Sequence, residues 1–365
     1  MHGFLLAQPD NVVRAEGSRG DYADAKDAVS ALRDGHADVV VGALPFDPRH
    51  PAALVAPKHF AHTAGPWRPA ALPELPNIRV VDEIPSPAEH VERVRALVAK
   101  LSDDAQPLRK VVAARSMLVE ADSALEAETV AAHLSTRHPN ATVFTVDLTA
   151  SGRTGATLVG ATPEVLVARH GRTVTLRPLA GTMARLPDPD ADGAQAEKLL
   201  ASTKNRAEHA FVIEWIRDQL TPLCSELAIP DEPQLINTHE VWHLATPITG
   251  TLRDPSTTAL DLALRLHPTP AVCGTPTDLA LDVIAESEED RGFYGGAVGW
   301  CTANGDGAWV VAIRSAELSP DHRTLRAYAG GGIVAASTPH TELEETTTKL
   351  RTLLTPLHCA IPTQP

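Results

Sequence analysis

The sequence of 365 residues predicts an α+β fold in which large antiparallel sheets are flanked by helices. Three observations carry that prediction. Strand-like apolar runs fall in neighbouring pairs more often than in alternation with helical stretches, which favours antiparallel sheets over a doubly wound parallel one. Glycine pairs and "NGDG" at 304–307 stand between such runs, and the latter has the character of a hairpin turn. Helical periodicity is confined to five stretches, several of them opened by Ser, Thr or Asp.

In chain order, "ADVVVGAL" (37–44) is the first strand-like run. "PWRPAALPELPN" (66–77) is the densest proline segment and predicts a surface connection between an N-terminal portion and the rest. Helical periodicity follows at 86–101 and 122–137, then strand character in "ATVFTVDL" (141–148), "ATLVGA" (156–161) and "TVTLRPLAG" (173–181). A long helical stretch covers 193–221 and a shorter one 256–266. "FYGGAVGWCTA" (293–303), "AWVVAIRSAEL" (308–318) and "TLRAYAGGGIV" (324–334) complete the strands, and 338–355 is helical. No linker demands a division, so one domain over 1–365 is expected.

With 43% hydrophobic residues the chain can bury a large core. Its formal net charge of −14 argues against general nucleic-acid binding, because phosphate neutralisation needs a basic face. An anionic ligand must then meet a few well-placed basic groups or a metal ion. The first residues lack a signal-like apolar core with a basic flank, and no run of 18 apolar residues occurs, so a cytoplasmic protein without membrane contact is expected. Cys224, Cys273, Cys301 and Cys359 lack CxxC spacing, which suits a reducing compartment and neither a thiolate zinc site nor a disulfide framework.

Residues 239–243, "HEVWH", match the HExxH pattern in which two histidines one helical turn apart bind zinc. The context "PQLINTHEVWHLATPITGTL" is rich in β-branched residues, is closed by Pro247 and Gly250, and supplies no third ligand, so a zinc protease is disfavoured.

The stretch "AGGGIVAASTPHTELEETTTKL" (329–350) is neither a P-loop nor a dinucleotide fingerprint. Three adjacent glycines after a strand imply either a bulge or a close approach of the backbone to a ligand or another strand. The following helix has Ser337 or Thr338 as N-cap, Pro339 at its first position, and Leu343, Leu350 and Leu354 on its buried face. Glu342, Glu345 and Lys349 share a different stripe, which pattern alone reads as a solvated face. In "KNRAEHAFVIEWI", by contrast, Glu208 shares a stripe with Val212 and Trp215. A carboxylate on an apolar face requires a cation or hydrogen-bond donors, and two carboxylates with open coordination suit Mg²⁺.

From about Leu108 to Leu354 the sequence resembles the chorismate-utilising enzymes, which include isochorismate, salicylate and anthranilate synthases. The resemblance rests on "KVVAAR" (110–115), "VGATPEVLV" (159–167), "RPLAGT" (177–182), "KNRAEH" (204–209), "HPTPAVCGTP" (267–276), "RGFYGGAVGW" (291–300), "VVAIRSAEL" (310–318) and "GGGIVAASTPHTELEETTTKL" (330–350). Residues 106–357 carry the catalytic core of the match, and 1–105 match less clearly apart from "GALPFD" at 42–47. The resemblance implies two large, mostly antiparallel sheets packed together with helices outside. It implies Mg²⁺ held by Glu208 and Glu345, with the substrate chorismate meeting Gly181, Thr182, His243, Ala271, Arg314, Gly330 and Lys349. Asn205 stands where an acidic residue is common in the family.

Lys110 matches the general base on the attacking water in isochorismate and salicylate synthases, a role that requires the neutral amine. Glu164 matches the general acid on the departing C4 hydroxyl, a role that requires a raised pKa in an apolar setting. Ala180 removes the nucleophilic lysine of covalent aminodeoxychorismate synthases, and no amidotransferase portion is present, so ammonia chemistry is disfavoured. Ala271 after "PTP" resembles isochorismate synthases, with salicylate synthase as the alternative. Isochorismate feeds siderophore or menaquinone synthesis. A monomer without an obligatory amidotransferase subunit is expected.

Overall fold

The computed structural model describes residues 3–69, 72–103 and 105–362. Among them, every strand pairing is antiparallel, and the strands form sheets of ten, nine and three members. The ten-stranded sheet runs from Gly274–Thr275 through Lys110–Ala121, Thr324–Ile333, Ser315–Leu318, Thr157–Thr162, Thr142–Asp147, Gly3–Ala7 and Asn11–Glu16 to His59–Ala64, with Ile78–Ile84 also on Lys110–Ala121. The nine-stranded sheet centres on Thr173–Arg177, Val165–His170, Gly307–Val311, Ala297–Thr302 and Val39–Leu44. The N-terminal hundred residues thus supply strands to both large sheets.

Strand alternation sorts the core into three layers. Phe4, Leu6, Phe144 and Leu158 of the first sheet meet Val41, Val298 and Val310 of the second between the sheets. On the outer face of the ten-stranded sheet, Val159, Val119 and Leu325 pack beneath Leu134 of the helix Ala127–Arg137 and Leu350 and Leu354 of the helix Pro339–Leu354. On the outer face of the other, Val167 and Leu176 meet Ile216 of Thr203–Leu220 and Leu260 of Ala259–Leu266. The predicted α+β class, with two packed sheets and helices outside, is the observed one.

Several boundaries differ from the sequence reading, each for a local reason. The stretch 193–221 is two helices, Pro189–Ala201 and Thr203–Leu220, because Ser202 takes an extended backbone and caps the second by accepting from Asn205 N. The predicted helix at 122–137 starts only at Ala127. The run 173–181 is broken by Pro178, which has no N–H for a ladder, into Thr173–Arg177 in the nine-stranded sheet and Leu179–Ala184 in the three-stranded one. The run 308–318 is likewise two strands in different sheets, divided at Arg314, whose φ is +52°. "KVVAAR" opens a twelve-residue strand that the strand pattern alone did not single out.

The segment "HEVWH" contains no helix: His239 and Glu240 lie before the strand Val241–Ala245, which holds His243. The two histidines therefore lack the one-turn spacing that a zinc protease requires, and that reading is overturned. No helix of the described residues is long and apolar enough to cross a membrane.

Candidate active site

The strands Lys110–Ala121 and Thr324–Ile333 pair in continuous register, with Gly330 opposite Ala114 and Gly332 opposite Val112. The glycines are not a bulge, and none has a left-handed backbone. What they provide is room. A Cβ on Gly332 would overlap Glu208 Oε1 and lie 2.9 Å from Lys110 Cε, one on Gly331 would lie 3.1 Å from Glu342 Oε2, and one on Gly330 3.1 Å from Tyr294 Oη. Charged groups thus rest directly on the strand backbone.

Those charges are paired. Lys110 is fully buried at the start of its strand, with Nζ in an ion pair 3.1 Å from Glu208 Oε1. Burial raises the Glu208 pKa, but Lys110, Lys349 and Lys204 outweigh it and hold the carboxyl below its usual range. Lys349 Nζ donates to Glu345 Oε1 at 2.6 Å and to the Gly330 carbonyl at 2.8 Å. Lys204 Nζ donates to Glu342 Oε1 at 2.6 Å.

Glu342 corrects the sequence reading. It is 1% exposed rather than solvated, its Oε2 is buried without a hydrogen-bond partner, and burial together with Glu345 raises its pKa. The Pro339–Leu354 helix turns this stripe toward the strand glycines, which pattern alone could not show.

Glu164 and Arg314 lie where strands change sheets. Thr157–Thr162 and Ser315–Leu318 pair in the ten-stranded sheet, while Val165–His170 and Gly307–Val311 pair in the nine-stranded one. Pro163 and Glu164 join the first strands of these pairs, and 312–314 the second. Burial pushes the Glu164 carboxyl up to about 7, although Leu179 N points to its Oε1 at 3.4 Å and Lys110 and Arg314 draw it down. A carboxyl raised this far keeps part of its population protonated near neutral pH.

The buried Arg314 has no ion pair among the described residues, and burial lowers its pKa without discharging it at neutral pH. Its Nη1 donates to Thr352 Oγ1 at 3.1 Å and its Nη2 to His243 Nε2 at 3.2 Å. Burial, followed by Arg314 and Lys349, lowers the His243 pKa well below the ordinary range and keeps the imidazole neutral. Since Nε2 accepts, Nδ1 carries the proton and donates to Thr182 Oγ1 at 3.0 Å.

Glu164, Gly181, Thr182, Glu208, His243, Ala271, Arg314, Gly330 and Lys349 all line one pocket. Lys110 and Glu345 do not line it but are ion-paired to Glu208 and Lys349, which do. Gly181, at φ +76°, lets its strand pass Asn205, whose Cβ would be 3.1 Å from an added methyl. The sequence reading missed Tyr294, which also lines the pocket, is pushed up to about 12 by burial, and stacks on Tyr328 at 5.2 Å. Its glycine-flanked position, between Gly292 and Gly295, was the available signal.

Among the described residues no three His, Cys, Asp or Glu side chains form a ready-made metal site. The local charges nevertheless balance: Lys110, Lys204 and Lys349 face Glu208, Glu342 and Glu345.

The family model described as "Chorismate binding enzyme" matches residues 67–358. A Mycobacterium tuberculosis protein named MenF is 50% identical over 361 residues, covering 97% of this chain and 95% of that one. Isochorismate synthase DhbC of Bacillus subtilis is 39% identical, covering 96% and 92%. Among solved structures, MenF of Escherichia coli, described as a menaquinone-specific isochorismate synthase, has a TM-score of 0.85 at 26% identity, covering 98% and 89%. Anthranilate synthase component I of Streptococcus pneumoniae shares the fold with a TM-score of 0.72 at 18% identity, covering 96% and 92%. With this extent of match in sequence and fold, the chain belongs to the chorismate binding enzyme family.

Proposed function

We propose that this chain is an isochorismate synthase, an isomerase that adds water at C2 of chorismate and expels the C4 hydroxyl without releasing pyruvate. The observation that carries the reading is the coexistence in one buried cluster of Lys110 and of Glu164, whose carboxyl is neutral up to about pH 7. The names of the relatives support it.

The proposed mechanism assigns binding and proton transfer to this chain's own groups. The Arg314 fork and the Lys349 ammonium take the substrate carboxylates, and neutral His243 fixes the guanidinium by accepting from it. Lys110, which is ion-paired to Glu208, first gives its ammonium proton to solvent and then, as the amine, takes a proton from the water that bonds to C2. Glu164 gives its proton to the C4 oxygen, which departs as water. One water enters and one leaves, and proton exchange with solvent restores both groups.

Enzymes of the family are generally Mg²⁺-dependent. The residues fit such an ion: the donors are hard carboxylate oxygens, and the buried Glu342 Oε2 lacks a partner. Glu208 and Glu345 would hold it, and when bound it supplies positive charge for a substrate carboxylate. A divalent cation arriving with a dianion also preserves the balance of lysines and glutamates. A cytoplasmic monomer, acting as one unit over 1–365 without an amidotransferase subunit, completes the proposal. Incubation with chorismate and Mg²⁺ followed by product chromatography tests it: isochorismate alone supports the reading, while salicylate with pyruvate selects salicylate synthase.

A further inference from the structure

A second cavity, of about 720 Å³, shares Arg314 with the active-site pocket. Its wall includes Arg137, His138, Arg177, Arg185, His239 and Arg314, and among the described residues no aspartate or glutamate lines it. In a chain of net charge −14 the four arginines of this wall select anionic ligands. Two of the arginines are already engaged: Arg185 binds Asp192 at 2.6 Å, and Arg137 lies 3.8 Å from Glu240. Arg177 and Arg314 have no ion pair among the described residues. Arg314 is 4% exposed and its guanidinium touches no carboxylate among the described residues, Glu240, Glu345 and Glu164 acting on it only from a distance, so its buried charge is costly and an arriving anion would offset that cost.

The Arg314 guanidinium joins the two spaces. Nη1 donates to Thr352, which lines the second cavity, and Nη2 to His243, which lines the active-site pocket. Arg177 is the cross-strand partner of Val165, the residue after Glu164, and Pro163 on the other side of Glu164 also lines the second cavity. The cationic wall thus runs beside the reacting acid.

We propose that this cavity is a carboxylate-binding antechamber, in which Arg177, assisted by Arg137, whose guanidinium contacts His239 Nδ1 at 2.9 Å but lies 3.8 Å from Glu240, takes up the dianionic substrate before Arg314 receives it. The proposal rests on the functional reading above. The test uses the full chain with Mg²⁺. Arg177→Gln and Arg137→Gln should each lower kcat/KM for chorismate about tenfold at low ionic strength, with kcat nearly unchanged, and the loss should shrink in high salt. In a Glu164→Gln background, which slows turnover far below binding, the same substitutions should slow chorismate association measured by stopped-flow fluorescence. Arg217→Gln, an equal charge change on an exposed helix position outside both cavities, is the control. Unchanged kcat/KM and association in both arginine variants, or an equal loss in Arg217→Gln, overturns the antechamber while leaving the activity standing. Failure of the Glu164→Gln protein to bind chorismate at all overturns the functional reading and the antechamber with it.

Discussion

Glu164 and Arg314 are tied together at the crossing between the two large sheets: Val311 N donates to the Glu164 carbonyl at 3.1 Å, and Ala161 N donates to the Arg314 carbonyl at 3.1 Å. Each residue stands where its chain leaves one sheet for the other, so neither backbone is free to follow a regular ladder. That departure places an acid and a cation in one pocket from strands that would otherwise point them to alternate faces.

The first prediction concerns Glu164. In the free enzyme its carboxyl is neutral up to about pH 7, so kcat/KM should fall as pH rises through that value. Glu164→Gln should reduce turnover by roughly 10²–10⁴ while chorismate still binds. The folded pKa lies above the ordinary 4.5, so the associated stability is fully present below 4.5 and is lost as pH rises through about 7. Urea melts at pH 5 and pH 8 should show a smaller loss for Glu164→Gln than for the parent; an equal loss would remove Glu164 as its source.

Replacing Lys110 with Met keeps the volume of the buried side chain but removes the amine. Turnover should be abolished, with chorismate binding by calorimetry retained. Turnover at parental rates would end its assignment as base.

Glu208→Gln and Glu345→Gln should each raise the Mg²⁺ concentration needed for half-maximal activity at least tenfold, equivalent to about 1.4 kcal/mol. Calorimetric titration of Mg²⁺ in the presence of chorismate provides a readout independent of turnover. Unaltered affinity in both variants would move the metal elsewhere.

Gly332→Ala sets a methyl against Glu208 Oε1 and Lys110 Cε. The expected cost is about 1–3 kcal/mol in chemical denaturation, together with lost activity. Gly193→Ala, a helical position with open space around its Cβ, should instead be neutral or stabilise by about 0.5–1 kcal/mol. Similar behaviour of the two would show that the strand glycine is not there for room.

Much of this was legible before any coordinates. Paired apolar runs specify antiparallel sheets, and the ordered family-like blocks place Lys110, Glu164, Glu208 and Glu345 in the site cluster. Glu208 was legible from its own helix, because a carboxylate among Val212 and Trp215 cannot be left unpaired. Glu342 was not, because its stripe satisfies the solvated-helix pattern as well as a buried one, and only the Thr324–Ile333 strand it faces distinguishes them.

The sequence by itself determined the fold class, the identity of the chemical groups and the glycines that leave them room. Tertiary structure decided which strand crosses between sheets at Pro163, Pro178 and Arg314, and hence which side chains share a pocket. It also pushes the Glu164 pKa up and the His243 pKa down, since desolvation depends on everything packed around them and not on their neighbours in the chain.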